Sequence, residues 1–255
     1  MKIIVSGKGG SGKSTVSSLL ALDLVRRGRR VLVVDADESN FGLEALLGLD
    51  GSGELMDCLG GKAAVGGKLR ESMAKKTELS FFDREWGFED IPSDCLSARG
   101  PLMLMQVGKI KTFGEGCACP IGSLAKGFLK NLRLERDDVA IVDAEAGVEH
   151  LGRGIAGGAY MILAVLDPSY ESIRLSAKMC EMAGEAGKPI YYVLNKVDGG
   201  SAEHMRKAIG EDRVIASIER NGTVERQGLT GEPLDADVDG ITDLASFILG
   251  KAGAS

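Results

Sequence analysis

The stretch Gly7-Lys8-Gly9-Gly10-Ser11-Gly12-Lys13-Ser14-Thr15 decides how the rest of the chain is read. It follows a short apolar run, residues 3–6, and leads at once into a helical pattern with apolar residues at 16, 19, 20, 22 and 24. Strand, glycine loop and helix in that order match G-x-x-x-x-G-K-[ST], the pattern of a phosphate-binding loop. Each residue type has a physical reason. Glycines let successive backbone N–H groups curl around phosphate oxygens with no Cβ in the way. The helix adds its N-terminal dipole and unpaired N–H groups to the same anion. Lys13 sets an ammonium against the β- and γ-phosphates, and the Ser14 hydroxyl is placed to ligate magnesium.

Outward from this loop, seven β-rich apolar runs recur, at residues 3–6, 31–35, 102–107, 139–143, 160–166, 190–195 and 214–218. Most are continuous, as suits strands buried on both faces of a parallel sheet. Helical patterns lie between them. One spans 14–27 and closes on Arg26-Arg27-Gly28; another spans 169–186, with Pro189 beyond its end. The alternation predicts an α/β fold, a doubly wound and mostly parallel seven-stranded sheet with helices on both faces. Residues 50–100 break the rhythm with charged helical pieces and Phe81, Phe82, Trp86 and Phe88. They read as a helical insertion on the sheet's active edge, inside one domain spanning 1–255.

The bulk numbers exclude several classes. With 44% hydrophobic residues in 255, the chain is able to bury a full core. Its 31 basic and 37 acidic side chains leave a net charge of −6, without the basic excess of a general nucleic-acid binder, so no nucleic-acid partner is expected. No apolar run approaches the about eighteen residues a membrane span needs, and the N-terminus lacks a cleavage pattern. A cytoplasmic protein with no membrane partner is predicted. Five cysteines, an odd number in a chain too large to need staples, suggest reduced thiols. Cys58, Cys95 and Cys180 read as small core residues.

Further motifs sit at the ends of the predicted strands. The run 31–35 ends in Asp35-Ala36-Asp37-Glu38-Ser39-Asn40, where Asp35 closes the strand beside the phosphates, or else the carboxylates cap the next helix. The run 139–143 ends in Asp143-Ala144-Glu145-Ala146-Gly147, at the carboxyl edge where open α/β sheets bind ligands. Asn195-Lys196-Val197-Asp198 reads alone as the guanine-recognition pattern N-K-x-D, which leaves ATP and GTP both open. Cys117-Ala118-Cys119 in extended backbone points two sulfurs to one face. Two thiolates fall short of the four a tetrahedral site takes, and a second copy of the chain would complete it. Thiolates suit nickel, zinc, copper(I) and iron–sulfur clusters. The alternative is a pair of cysteines filling a buried loop, although the glycine-rich approach and Pro120 favour an exposed one.

The second lysine of the loop, Lys8, gives K-G-G-x-G-K-S-T, which resembles the deviant phosphate loop of the MinD, ParA and nitrogenase iron-protein class. Adding Cys117-Ala118-Cys119, Val142-Asp143-Ala144-Glu145-Ala146-Gly147-Val148-Glu149-His150 and Leu166-Asp167-Pro168-Ser169, the chain resembles the CooC family from residue 1 to about 250. Those are nickel-insertion ATPases that mature carbon monoxide dehydrogenase, with relatives serving acetyl-CoA synthase. The resemblance implies an ATP-dependent homodimer with magnesium at the phosphates and one nickel or zinc ion on Cys117 and Cys119 of two copies. It also implies catalytic roles for Lys8, Lys13 and Asp37. Lys8 would reach the partner's phosphates, Asp37, in switch I, would orient the attacking water, and Asp143, in switch II, would hold magnesium through water. Asn195, with Lys196 and Asp198 beside it, would face adenine. Two other readings compete. A MinD- or ParA-like positioning ATPase needs a membrane helix or a basic DNA surface, and residues 238–249 lack the Lys/Arg face that lipids favour. An iron–sulfur electron-transfer ATPase of the nitrogenase type needs a cysteine soon after switch II, and none occurs between Asp143 and Cys180. His150 reads as a hydrogen-bonding histidine or a sensor of nucleotide state.

Overall fold

The computed structural model describes residues 1–51, 53–77, 80–110, 119–146 and 155–252. Its strands are β1 (Lys2–Gly7), β2 (Arg30–Asp35), β3 (Ser97–Arg99), β4 (Leu102–Gln106), β5 (Asp138–Asp143), β6 (Met161–Leu166), β7 (Ile190–Val197) and β8 (Val214–Glu219). They form one sheet in the order β3-β4-β2-β5-β1-β6-β7-β8. Every pairing is parallel except β3 with β4. The sheet therefore has eight strands and not the expected seven. The added strand is an antiparallel edge of three residues, Ser97-Ala98-Arg99, largely exposed and without an apolar run to betray it. The seven apolar runs each became a strand, and the continuous ones lie where both faces are covered, so neither face needs polar residues.

The two faces carry separate cores. Alternation along β1 sends Ile3 and Val5 to one face and Ile4 to the other. The first face is covered by α1 (Lys13–Arg26), α2 (Leu43–Leu47) and the last helix of the chain, where Leu20, Leu24, Leu43 and Leu244 meet Val31, Ile141 and Val165. On the opposite face lie α3 (Leu55–Cys58), α4 (Gly61–Lys75), α5 (Cys119–Asn131) and α6 (Tyr170–Glu185). There Phe82, Trp86 and Phe128 stack edge to face, which fastens the 80–90 segment to α5. The remaining helices are α7 (Gly199–Ile209), α8 (Gly222–Thr230) and α9 (Asp239–Ala252).

Two expectations meet the structure here. Helix α9 packs its Ile241, Leu244, Ala245 and Ile248 into the first core, so its apolar stripe is not a free face for lipid. Among the described residues no helix is long and apolar enough to cross a membrane. Cys58 and Cys95, expected as reduced core thiols, are instead joined as a disulfide with their Cα atoms 6.4 Å apart. The close approach has a cause: a Cβ at Gly53 would collide with the Asp94 carbonyl, so the chain entering α3 lies against the 93–95 turn. That brings the two cysteines within the span a disulfide bridges. Cys180 is free and half-buried, with the Arg213 guanidinium donating to its sulfur.

Candidate functional site

The phosphate-loop residues lie between the central strand β1 and α1, at the carboxyl edge of the sheet. Gly10 and Gly12 take left-handed φ values of 78° and 95°, so the loop's two sharp turns need residues without a Cβ. A Cβ at Gly7 would strike the Val165 carbonyl, and one at Gly12 the Asn195 side chain. Ser11 N–H closes a turn on the Lys8 carbonyl at 3.2 Å, and Lys13 Nζ lies over the loop, 3.5 Å from the same oxygen. Ser11 Oγ is buried and has no hydrogen-bond partner among the described residues. The loop thus keeps an unspent hydroxyl in a sheltered cradle, which suits an anionic ligand.

Asp143 ends β5 directly beside the start of α1. Its carboxylate accepts from Ser14 Oγ at 2.6 Å and from Ser17 Oγ at 3.2 Å, and it is fully buried. Burial pushes its pKa up, against the pull of the Ser14 bond and the Lys13 charge. Asn40 Nδ2 donates to Ser14 Oγ at 2.9 Å and to Asp143 Oδ2 at 3.3 Å, so an amide dipole meets this oxygen pair. A hydroxyl and a carboxylate at hydrogen-bond distance are hard oxygen donors that fit magnesium. Asp37 is nearly buried, and its Oδ1 accepts from Ser39 N–H at 2.9 Å and Ser39 Oγ at 2.6 Å. In this state Asp37 closes its own turn.

Asp35 stands in register with Asp143 across β2 and β5, and its carboxylate accepts from Asp37 N–H at 3.2 Å. It is fully buried, 2.6 Å from Lys109 Nζ, which also donates to the Asp37 carbonyl at 2.7 Å. Burial raises the Asp35 pKa from 3.8 to about 7, with Lys109 pulling it back only in part. The folded chain then holds this proton more tightly than the unfolded chain does. The resulting stabilisation is complete below the ordinary carboxylate pKa and is lost as pH rises through about 7. The thermal midpoint of the ligand-free protein is therefore expected to fall between about pH 5.5 and about pH 8, and Asp35→Asn to flatten that slope. A midpoint that is level across the window in the wild type would refute this assignment.

Lys8 turns away from its own cradle. Its Nζ donates to Ser169 Oγ at 3.0 Å and pairs with Asp167 at 3.0 Å and Glu171 at 3.7 Å. Asp167 is itself held below the usual carboxylate range: burial raises it, but bonds from Ser172, Lys8 and Ser169 outweigh that. The three residues of the N-K-x-D run divide their work. Asn195 Nδ2 donates to the Ser11 carbonyl at 2.8 Å and Lys196 Nζ to the Gly10 carbonyl at 2.9 Å, so the end of β7 braces the phosphate loop. Asp198 instead caps α7, its Oδ1 accepting from Ser201 N–H and Ser201 Oγ, both at 2.8 Å.

A cavity of about 260 Å³ opens beside the start of α1, lined by Thr15, Leu19, Asn195, Ile218, Arg220 and Asn221 among others. Its apolar wall and polar rim suit a flat heteroaromatic ring. Ser17, Asn40, Lys109 and the 219–221 segment are site residues to which sequence reading gave no role. Only Asn40, two residues beyond the acidic pair, stood in a quoted motif. Cys117, Gly147 and His150 lie outside the described residues, and Cys119 opens α5. Among the described residues no cluster of three or more His, Cys, Asp or Glu side chains is arranged to hold a metal ion.

A doubly wound sheet whose central strand runs through a phosphate loop into a helix defines a P-loop nucleotide-binding protein. The chain belongs to the CobQ/CobB/MinD/ParA nucleotide-binding family, whose model matches residues 2–234. It is 44% identical over 248 residues to an uncharacterized ATP-binding protein of Methanocaldococcus jannaschii, covering 97% of this chain and 99% of that one. It is 32% identical over 199 residues to the carbon monoxide dehydrogenase accessory protein CooC of Rhodospirillum rubrum, covering 77% of this chain and 74% of CooC. Its fold matches the septum site-determining protein MinD of Pyrococcus horikoshii, solved with Mg-ADP, at a TM-score of 0.72 and 21% identity, over 99% of this chain and 97% of MinD.

Proposed function

We propose that the chain is a magnesium-dependent ATPase that works as a homodimeric, cytoplasmic metallochaperone. It carries nickel or zinc on Cys117 and Cys119 of two copies, for insertion into carbon monoxide dehydrogenase or a related acetyl-CoA synthase. The reading is carried by one conjunction: similarity to CooC across 77% of the chain, with a C-x-C pair in the sequence whose second cysteine opens α5. The chain acts as one unit over 1–255, with residues 50–100 as its helical insertion.

In this reading the amides of residues 7–15 and Lys13 hold the β- and γ-phosphates, and Ser14 with Asp143 holds magnesium, which neutralises phosphate charge when bound. Asp37 leaves its bond with Ser39 and orients water toward the γ-phosphoryl group. Lys8 exchanges Asp167 and Ser169 for the phosphates of the partner. The base enters the cavity beside Asn195, and adenine is favoured over guanine because Asp198 is committed to capping α7. Asp198→Ala is accordingly expected to leave the ATP-to-GTP affinity ratio within about threefold of wild type. Loss of GTP affinity alone by about tenfold would restore Asp198 as a guanine reader.

The whole proposal is tested by titrating nickel and zinc, with and without MgATP, while light scattering follows mass. A dimer carrying one metal ion per two chains is expected. A monomer under every combination would sink it.

A further inference from the structure

Switch I and the chain leaving β4 are hydrogen-bonded along their length. Val107 N–H donates to the Asp35 carbonyl at 2.9 Å and Ile110 N–H to the Glu38 carbonyl at 3.3 Å. Between these two bonds sits Lys109, 6% exposed, which a lysine tolerates only when its charge is matched. Its ammonium reaches the Asp35 carboxylate at 2.6 Å and the Asp37 carbonyl at 2.7 Å, and lies 5.7 Å from the Phe41 ring centre. On its other side, Lys109 N–H donates to Glu54 Oε2 at 3.0 Å, and Met56 N–H to the Val107 carbonyl at 3.0 Å. Residues 107–110 are thus a seam between switch I and the entry to α3. In sequence they run directly toward Cys117.

We propose that Lys109 is a positioning residue that locks switch I to the segment leading into the cysteine pair, so that the two move as one body. The inference rests on the function proposed above for the role of Asp37, but the lock itself is a property of the ligand-free chain. Lys109 is bonded to both the carboxylate that ends β2 and the main chain of Asp37. A solvated surface lysine would have neither bond. The raised pKa of Asp35 agrees with the dryness of the seam. Removing Lys109 alone would strand a buried carboxylate and threaten the fold, so the informative variant removes both charges.

The test compares wild type, Asp35→Asn, and Lys109→Met/Asp35→Asn. Amide hydrogen exchange is measured without ligand. In the double variant, residues 37–39 and 109–110 are expected to exchange at least about tenfold faster, with residues 3–5 of β1 unchanged. Asp35→Asn takes the counter-charge from Lys109 but keeps the bond to the Asp37 carbonyl, so exchange at residues 37–39 and 109–110 is expected to rise less than in the double variant. Unchanged exchange at either side of the seam, or faster exchange that includes β1, overturns the proposal. A second measurement is turnover against affinity: the double variant is expected to lose at least about tenfold in ATP turnover with Kd within about threefold. Parallel loss of both, or loss of neither, also overturns it. If the wild type turns over no ATP, the proposed function falls, while hydrogen exchange still decides the role of Lys109.

Discussion

Lys8→Ala is expected to lower ATP turnover on the order of 10³-fold or more while leaving nucleotide bound, the size of effect seen when a charge supplied in trans is removed from phosphoryl transfer. The local structure explains why binding survives. Lys13, the loop amides and the Asn195 and Lys196 braces all belong to other residues, and Lys8 Nζ is spent on Asp167 and Ser169. The fold survives for a similar reason, since Asp167 keeps its bonds from Ser169 and Ser172. Complementation makes the test decisive. In a mixture of Lys8→Ala and Lys13→Ala chains, half the dimers are mixed, and each has one cradle with Lys13 and a partner's Lys8. Turnover should return to roughly a quarter of the wild-type rate. No recovery on mixing, or loss of all nucleotide binding by Lys8→Ala, would place Lys8 in the site of its own chain.

Why the phosphate loop was legible and Lys109 was not is a matter of which interactions are local. Gly10, Gly12, Lys13 and Ser14 are chosen by backbone geometry and ligand chemistry within nine consecutive residues, so their spacing is the signal. The seven long strands are legible for an equally local reason, being apolar on both faces. Edge strand β3 has neither property; Ser97-Ala98-Arg99 pairs with β4 only because the chain turns back at Gly100, where φ is 61°. Lys109 stands between Gly108 and Ile110 with nothing nearby to mark it as buried. Its partners, Asp35, Asp37 and Glu54, are 55 to 74 residues away; the pairing of β2 with β4 brings the first two and the Glu54–Gln106 bridge brings the third.

The same distinction governs the N-K-x-D run and the cysteines. The pattern located Asn195 at the site, but its bond crosses 184 residues to Ser11, and the capping use of Asp198 depends on Ser201 joining a helix. Cys58 and Cys95 are separated by 37 residues, and their pairing follows from how the entry to α3 lies on the 93–95 turn. Counting thiols by compartment had no access to that contact.

That pairing sharpens the second large effect, loss of metal from Cys117→Ala/Cys119→Ala. Of the five cysteines, Cys58 and Cys95 are joined to each other, and Cys180 sits under the Arg213 guanidinium. Arg213 competes with any cation for that sulfur. No other cluster of metal-ligating side chains exists among the described residues. On the proposed function the soft-metal site draws on Cys117 and Cys119, and two copies of the chain would supply the four thiolates such an ion takes. The double variant is expected to lose all stoichiometric nickel and zinc while retaining nucleotide affinity within about threefold, because the cradle is built from β1, β5 and β7. Each single variant should leave half the thiolates of the dimer and weaken metal by at least about tenfold. Metal retained by the double variant at one ion per two chains would remove Cys117 and Cys119 from the function, and the chain would then be a P-loop ATPase whose cycle moves something other than metal.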